Sequence, residues 1–172
     1  MEMGIFSEND ERIKFIKKAI EKMLLAKIDE GLEWVIVSGQ MGVEMWTAQV
    51  ALDLKDEYDI QLGVVPPFEN QEKRWPEELQ MSYQELTFTA DFFKHIYNGD
   101  YKGPFQFRAK DAWYLDKTDG CVILMDEDNL GSVQYFYNAA KERDNYPIEL
   151  ITPMDIDDVI EEMRMEDPSY WE

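Results

Sequence analysis

The stretch that most constrains this chain is residues 34–44, WVIVSGQMGVE: an apolar run, a glycine-bounded turn and the opening of an amphipathic segment. Trp34, Val35, Ile36 and Val37 are β-formers without polar alternation, which predicts a parallel strand covered on both faces. Ser38, Gly39, Gln40, Met41 and Gly42 then turn the backbone at the strand's carboxyl end. There, free N–H groups and the positive end of the next helix can face an anion. Two glycines can also do no more than close a tight strand-to-helix turn, so the surrounding pattern has to decide.

That pattern alternates. Ile13, Ile16, Ile20, Met23, Leu24 and Ile28 follow helical spacing behind an S-x-x-D start at residues 7–10, and Gly31 stops the helix. After the glycine turn, Val43, Trp46, Val50 and Leu54 lay one stripe along a helix ending near Glu57, and residues 61–65 predict the next buried strand, ended by Pro66 and Pro67. The polar, aromatic segment 68–75 reads as a loop over the same sheet edge, with Phe68, Gln71, Arg74 and Trp75 in reach of a ligand. Trp75 can equally staple the following helix, residues 77–90. A short strand is expected within 92–97, a loop at 98–104, and a helix at 105–117 carrying Arg108 and Lys110. These cations can reach a phosphate or pair with Asp111 and Asp116. Residues 120–125 predict a third buried strand, followed by a second glycine turn at Gly131 and Ser132 and a helix at 133–143. Residues 147–151 form a last strand, Pro153 breaks it, and Asp155 caps a small helix through Met163.

Strands alternating with helices predict an α/β, three-layer Rossmann-like domain with a mainly parallel sheet, and 172 residues suit a single domain over 1–172. Seventeen basic against 37 acidic side chains give a net charge of −20, which opposes direct binding to nucleic acid. An anionic ligand therefore needs local backbone N–H groups and a few placed cations. Cys121 stands alone in an apolar run, so a disulfide framework is excluded and a cytoplasmic protein is expected. No apolar run approaches the ~18 residues that span a bilayer, so membrane insertion is not expected. No metal site is expected either: His95 has no second His or Cys near it, and counted from Asp126 an EF-hand would need oxygen ligands at Leu130 and Tyr137.

The blocks SGQMGVEMW, VVPPF with ENQEKRW, and DGCVILMDEDNLGSVQYFYNAAK resemble, in order and over nearly the whole chain, the YpsA branch of the SLOG superfamily, whose wider membership includes the LOG phosphoribohydrolases and the Smf/DprA proteins. The resemblance implies a Rossmannoid fold that binds a nucleotide or an ADP-ribose-like ligand, with a regulatory role linked to bacterial cell division. Its implied protein partners are a second copy of the chain and a cell-division protein, and no resident cofactor is implied. In this family a first strand with a T-G-Y-type turn precedes EMGIF. The expectation is therefore that the first, central strand of a 3-2-1-4-5 sheet is missing here and that the start is late.

A second departure concerns chemistry. The G-T-x-x-E of the LOG motif maps onto Gly131, Ser132, Val133, Gln134 and Tyr135, so tyrosine stands in the glutamate's place. Glu44 could substitute as the catalytic carboxylate of an N-glycosidic hydrolase, or it could accept ribose hydroxyls. The candidate ligand-binding set is Ser38, Gly39, Gln40, Gly42, Glu44, Phe68, Arg74, Trp75, Arg108, Gly131 and Ser132.

Overall fold

The structure, a computed structural model, describes residues 10–167. The chain divides into two compact units: residues 24–119, and the described residues up to Met23 together with those from Gly120 onward. Their elements follow the α/β alternation of a Rossmann-like fold, and every paired strand runs parallel to its neighbour.

Helix α1 (Arg12–Asp29) begins beyond Asp10, whose carboxylate accepts the Arg12 N–H at 2.9 Å; Ser7, expected to help start this helix, lies outside the described residues. It ends where Gly31 takes φ 102° and the Leu32 N–H closes on the Lys27 carbonyl at 3.0 Å, a left-handed exit that favours glycine.

In the 24–119 unit, β1 (Trp34–Val37), β2 (Gln61–Val64) and β3 (Phe92–Phe93) form a sheet in that order. Helices α2 (Val43–Leu54) and α3 (Glu77–Thr89) make the two crossovers, and α4 (Phe105–Lys117) follows β3. Leu62, Val64 and Val65 are fully buried, and Met45, Ala48 and Ala51 of α2 are as well. Small alanines let the helix approach the sheet closely, which positions whatever stands at the helix start. Strand β1 is not covered on both faces as expected: Val35 and Val37 are buried, but Trp34 is exposed and Ile36 half-buried. Alternate residues of a strand face opposite sides, so one face of β1 is only partly packed.

β3 is shorter than residues 92–97 suggested. Its pairing nevertheless continues, with the Lys94, Ile96 and Tyr97 N–H groups donating to the carbonyls of Val64, Pro66 and Pro67. The two prolines have no N–H to return, so the ladder is one-sided beyond Val64.

In the other unit, β4 (Cys121–Leu124) pairs with β5 (Ile148–Ile151), and a 3-10 turn (Gly131–Val133) leads into α5 (Gln134–Lys141). β5 ends before Pro153 as expected, but α6 (Pro153–Glu166) starts at that proline, ahead of the expected cap Asp155. Thr152 caps it: the Asp155 N–H donates to Thr152 Oγ1 while the Asp155 carboxylate accepts the Thr152 N–H, and Pro153 occupies the first helical position, where its missing N–H costs nothing. Ile13, Ile16 and Ile20 of α1, Ile123 and Leu124, Ile151, and Ile156 and Val159 of α6 are among this unit's buried apolar residues. The described strands form two separate sheets, in the orders β1-β2-β3 and β4-β5, and among the described residues β1 and β4 each pair on one side only.

Candidate functional site

The turn between β1 and α2 is built by its own side chains. The buried Ser38 donates its backbone N–H to Glu44 Oε1 at 2.9 Å and its hydroxyl to Glu44 Oε2, so the carboxylate in the first turn of α2 grips the end of β1. Ser38 Oγ also accepts the Gln40 N–H at 3.3 Å. Gly39 has φ 78°, and Gly42 opens α2 at φ 101°, ψ −136° with no side-chain cap. The first N–H groups of an α-helix have no intrahelical acceptor, so an uncapped start leaves donors for a ligand.

The loop after β2 is pinned to this turn. Gln71 donates through Nε2 to the Ser38 carbonyl at 2.8 Å and to the Tyr83 phenol at 3.2 Å. Trp75 packs edge-to-face on Tyr83 of α3, 5.4 Å between centroids, the staple its position allowed. Phe68 is buried among Tyr101 and Phe107, with centroids 5.2 and 5.7 Å away, which commits its ring to the loop that precedes α4 and to the start of α4 itself. Arg74 is exposed.

From α4, the Tyr114 phenol donates to the Val65 carbonyl at 2.9 Å. Burial holds this phenol well above its ordinary pKa, the negative Glu44 and Asp111 add to the effect, and a hydrogen bond with Ser38 works against it. Asp111 is raised mainly by burial; the Lys110 ammonium opposes this, and Glu44 raises it further. Lys110 lies 3.6 Å from the Asp111 carboxylate and 5.6 Å from the centre of the Tyr114 ring, with its side chain 14% exposed. Thus Ser38, Glu44, Asp111, Tyr114 and Lys110 form one electrostatic group. Arg108, on the same helix, is exposed and stays out of it.

Sequence reasoning named Ser38, Gly39, Gln40, Gly42 and Glu44 as neighbours because they are local, and they are. It treated Lys110 as a companion of Arg108, and it missed Tyr83 and Tyr114. The i, i+4 spacing of Lys110 and Tyr114 was the available signal that one helix face carries both. Gly131, at φ 62°, and Ser132 are exposed in the 3-10 turn of the other unit. Among the described residues no helix is long and apolar enough to cross a membrane.

With this geometry established, comparison with known proteins is decisive for the family. Residues 1–156 match the YpsA family model, described as the YspA SLOG family. The chain belongs to the YpsA family of SLOG proteins. A UPF0398 protein of Oceanobacillus iheyensis is 60% identical over 173 residues, covering 100% of this chain and 94% of that relative. The UPF0398 protein YpsA of Bacillus subtilis is 41% identical over 165 residues, covering 94% of this chain and 92% of its own length. A UPF0398 protein of Staphylococcus haemolyticus is 36% identical over 175 residues, covering 99% and 94%. SLOG membership suggests a nucleotide-related role, which fits a turn of this kind at the carboxyl end of a parallel strand.

Proposed function

We propose that this YpsA-family chain binds a nucleotide or an ADP-ribose-like molecule, seating a phosphate on the turn between β1 and α2, and that binding has a regulatory output. The carrying observation is the uncapped start of α2 at Gly42, directly beyond the carboxyl end of β1. Lys110 is our candidate for an assisting cation: Asp111 and the Tyr114 ring hold it on the helix whose Tyr114 bonds with Ser38. The link to cell division, with a division protein or a second copy of the chain as partner, rests on the family resemblance alone.

The second reading is an N-glycosidic hydrolase with Glu44 as catalytic carboxylate. Glu44 engages Ser38 with both oxygens, so it is committed to shaping the turn, and a general base needs a lone pair turned to its substrate. Tyr135, in the place of the LOG glutamate, is 70% exposed. Both facts favour binding over turnover.

A panel of nucleoside monophosphates and ADP-ribose, assayed for thermal shift and for product, tests the two readings together. A shift without product is expected, and steady release of free base would replace this reading with the hydrolase. Gly42→Val should abolish the shift. Its positive φ makes the substitution costly to the fold as well, so affinity is compared at a temperature where circular dichroism shows the variant folded. Unchanged affinity would remove the turn from the site.

A further inference from the structure

A cavity of about 320 Å³ opens beside the sheet within the 24–119 unit, walled by Glu69, Glu72, Tyr83, Phe93 and His95 among others. The walls come from the loop after β2, from α3, and from β3 with His95 two residues beyond its end, a position where open parallel sheets bind ligands. None of residues 38–44 lines it, although Tyr83 of its wall is linked to the turn through Gln71.

Three features specify an occupant. Glu72 Oε2 is buried and has no hydrogen-bond partner, an unsatisfied acceptor that calls for an N–H donor. The last torsion of a glutamate is broad and two-fold, so that oxygen can turn toward a donor in the cavity. Second, no lysine or arginine lines the wall, and while Glu69 Oε2 accepts the Gly99 N–H at 2.9 Å, the buried Glu72 Oε2 accepts nothing. Third, Phe93 and His95, edge-to-face at 4.8 Å, and Tyr83 bring aromatic surface that suits a flat group. The described residues contain no group of three or more His, Cys, Asp or Glu able to hold a metal ion, so the acceptor points to an organic donor.

We infer that this cavity binds a planar group with two adjacent N–H donors, the edge presented by guanine and by a guanidinium, with Glu72 as its acceptor. A carboxylate matches such an edge with two parallel hydrogen bonds. Adenine offers one amino group beside a ring acceptor and would set a lone pair against the carboxylate. Tyr83, whose phenol burial pushes up to about 12, stays protonated and already accepts from Gln71, which leaves its own hydrogen to donate.

The test is calorimetric titration of the full chain with guanosine, inosine, adenosine and agmatine. Guanosine and agmatine separate the two sources of the edge: binding of either supports the site and names its ligand, while binding of neither overturns it. Inosine lacks one of the two donors and should bind at least about tenfold more weakly than guanosine. Glu72→Gln should weaken whichever probe binds by a similar factor, with the unfolding temperature of the free protein unchanged. Phe93→Ala, at a residue 38% exposed, provides a second variant if Glu72→Gln does not fold. It should weaken the probe severalfold. Adenosine binding as tightly as guanosine, or full affinity in both variants, would overturn the inference. Gly42→Val should leave these affinities intact, so the cavity and the phosphate turn fail independently.

Discussion

Glu44 holds Ser38 by both groups a serine can donate, the backbone N–H at 2.9 Å and the hydroxyl, across six residues of sequence and one change of secondary structure. The bond pair fixes the turn so that Gly39 to Gly42 cannot relax when α2 begins. Charged acceptors make the stronger hydrogen bonds.

Glu44→Gln keeps the length of the side chain but replaces one acceptor with an amide that faces the Ser38 donors. It should cost about 1 to 3 kcal/mol of stability, since one donor loses its partner. That corresponds to a fall of about 2 to 4 °C in Tm for each kcal/mol. Thermal unfolding of the free protein measures it. If Tm is unchanged while nucleotide affinity drops, Glu44 serves the ligand's ribose and not the turn.

Gly39 and Gly31 both have positive φ, yet they should respond differently to alanine. At Gly31 (φ 102°) a Cβ meets nothing within 4 Å, so Gly31→Ala carries only the backbone cost, about 1 kcal/mol. At Gly39 (φ 78°) a Cβ would stand 3.0 Å from the Tyr83 ring and 3.1 Å from Val64 Cγ1. Tyr83 is held by Gln71 and Trp75 and cannot step aside, so Gly39→Ala should cost about 2 to 4 kcal/mol, and urea denaturation of the two variants compares them directly. Equal losses would mean that the Tyr83 wall is soft.

These pairs also mark what sequence could and could not disclose. The alternation of helix and strand was legible because hydrophobic periodicity is local: the runs at 34–37, 61–64 and 121–124 all became strands. Local chemistry misled where one residue has two uses. Pro153 ends the strand as its chemistry predicts, but Asp155 read as the helix cap, whereas Thr152 caps and Pro153 takes the helix's first position. Trp34 read as buried because the run 34–37 has no polar alternation, but β1 has its better-packed face on the Val35 side. The site was legible only as far as it is contiguous. The Gln71 bond to Ser38 spans 33 residues and the Tyr114 bond to Val65 spans 49, and no single-chain pattern links such partners.

Gly63 sits opposite Ile36 in the parallel register of β1 and β2, and a Cβ there would meet Ile36 Cδ1 at 2.7 Å. The obstacle is the far end of a flexible side chain, and it is the one carbon that Ile36→Val removes. Gly63→Ala alone should destabilise by roughly 1 to 2 kcal/mol through overpacking. The double variant Gly63→Ala with Ile36→Val should recover at least about 0.5 kcal/mol relative to the sum of the single effects. Strict additivity in a denaturation cycle would show that another atom sets the limit at Gly63.

Asp111 yields the pH prediction, and its sign follows from the direction of its shift. Burial raises its pKa in the folded protein above the ordinary 3.8, with the neighbouring Glu44 raising it further and Lys110 opposing. The folded state therefore binds this proton more tightly than the unfolded chain does. Its contribution to stability is fully present below pH 3.8, falls as pH rises through the folded pKa, and is level beyond it. Asp111→Asn carries no titrating proton and isolates the effect. Near pH 3.5 the variant and the parent should unfold at similar temperatures; toward neutrality the variant should become the more stable of the two, because it no longer buries a charge beside Glu44. Differential scanning calorimetry across pH 3.5 to 7.5 follows that gap, and a gap of opposite sign would mean that the Lys110 pair outweighs burial. The same substitution frees Lys110 from its 3.6 Å partner, so a nucleotide phosphate on the turn should bind more tightly to Asp111→Asn than to the parent at neutral pH.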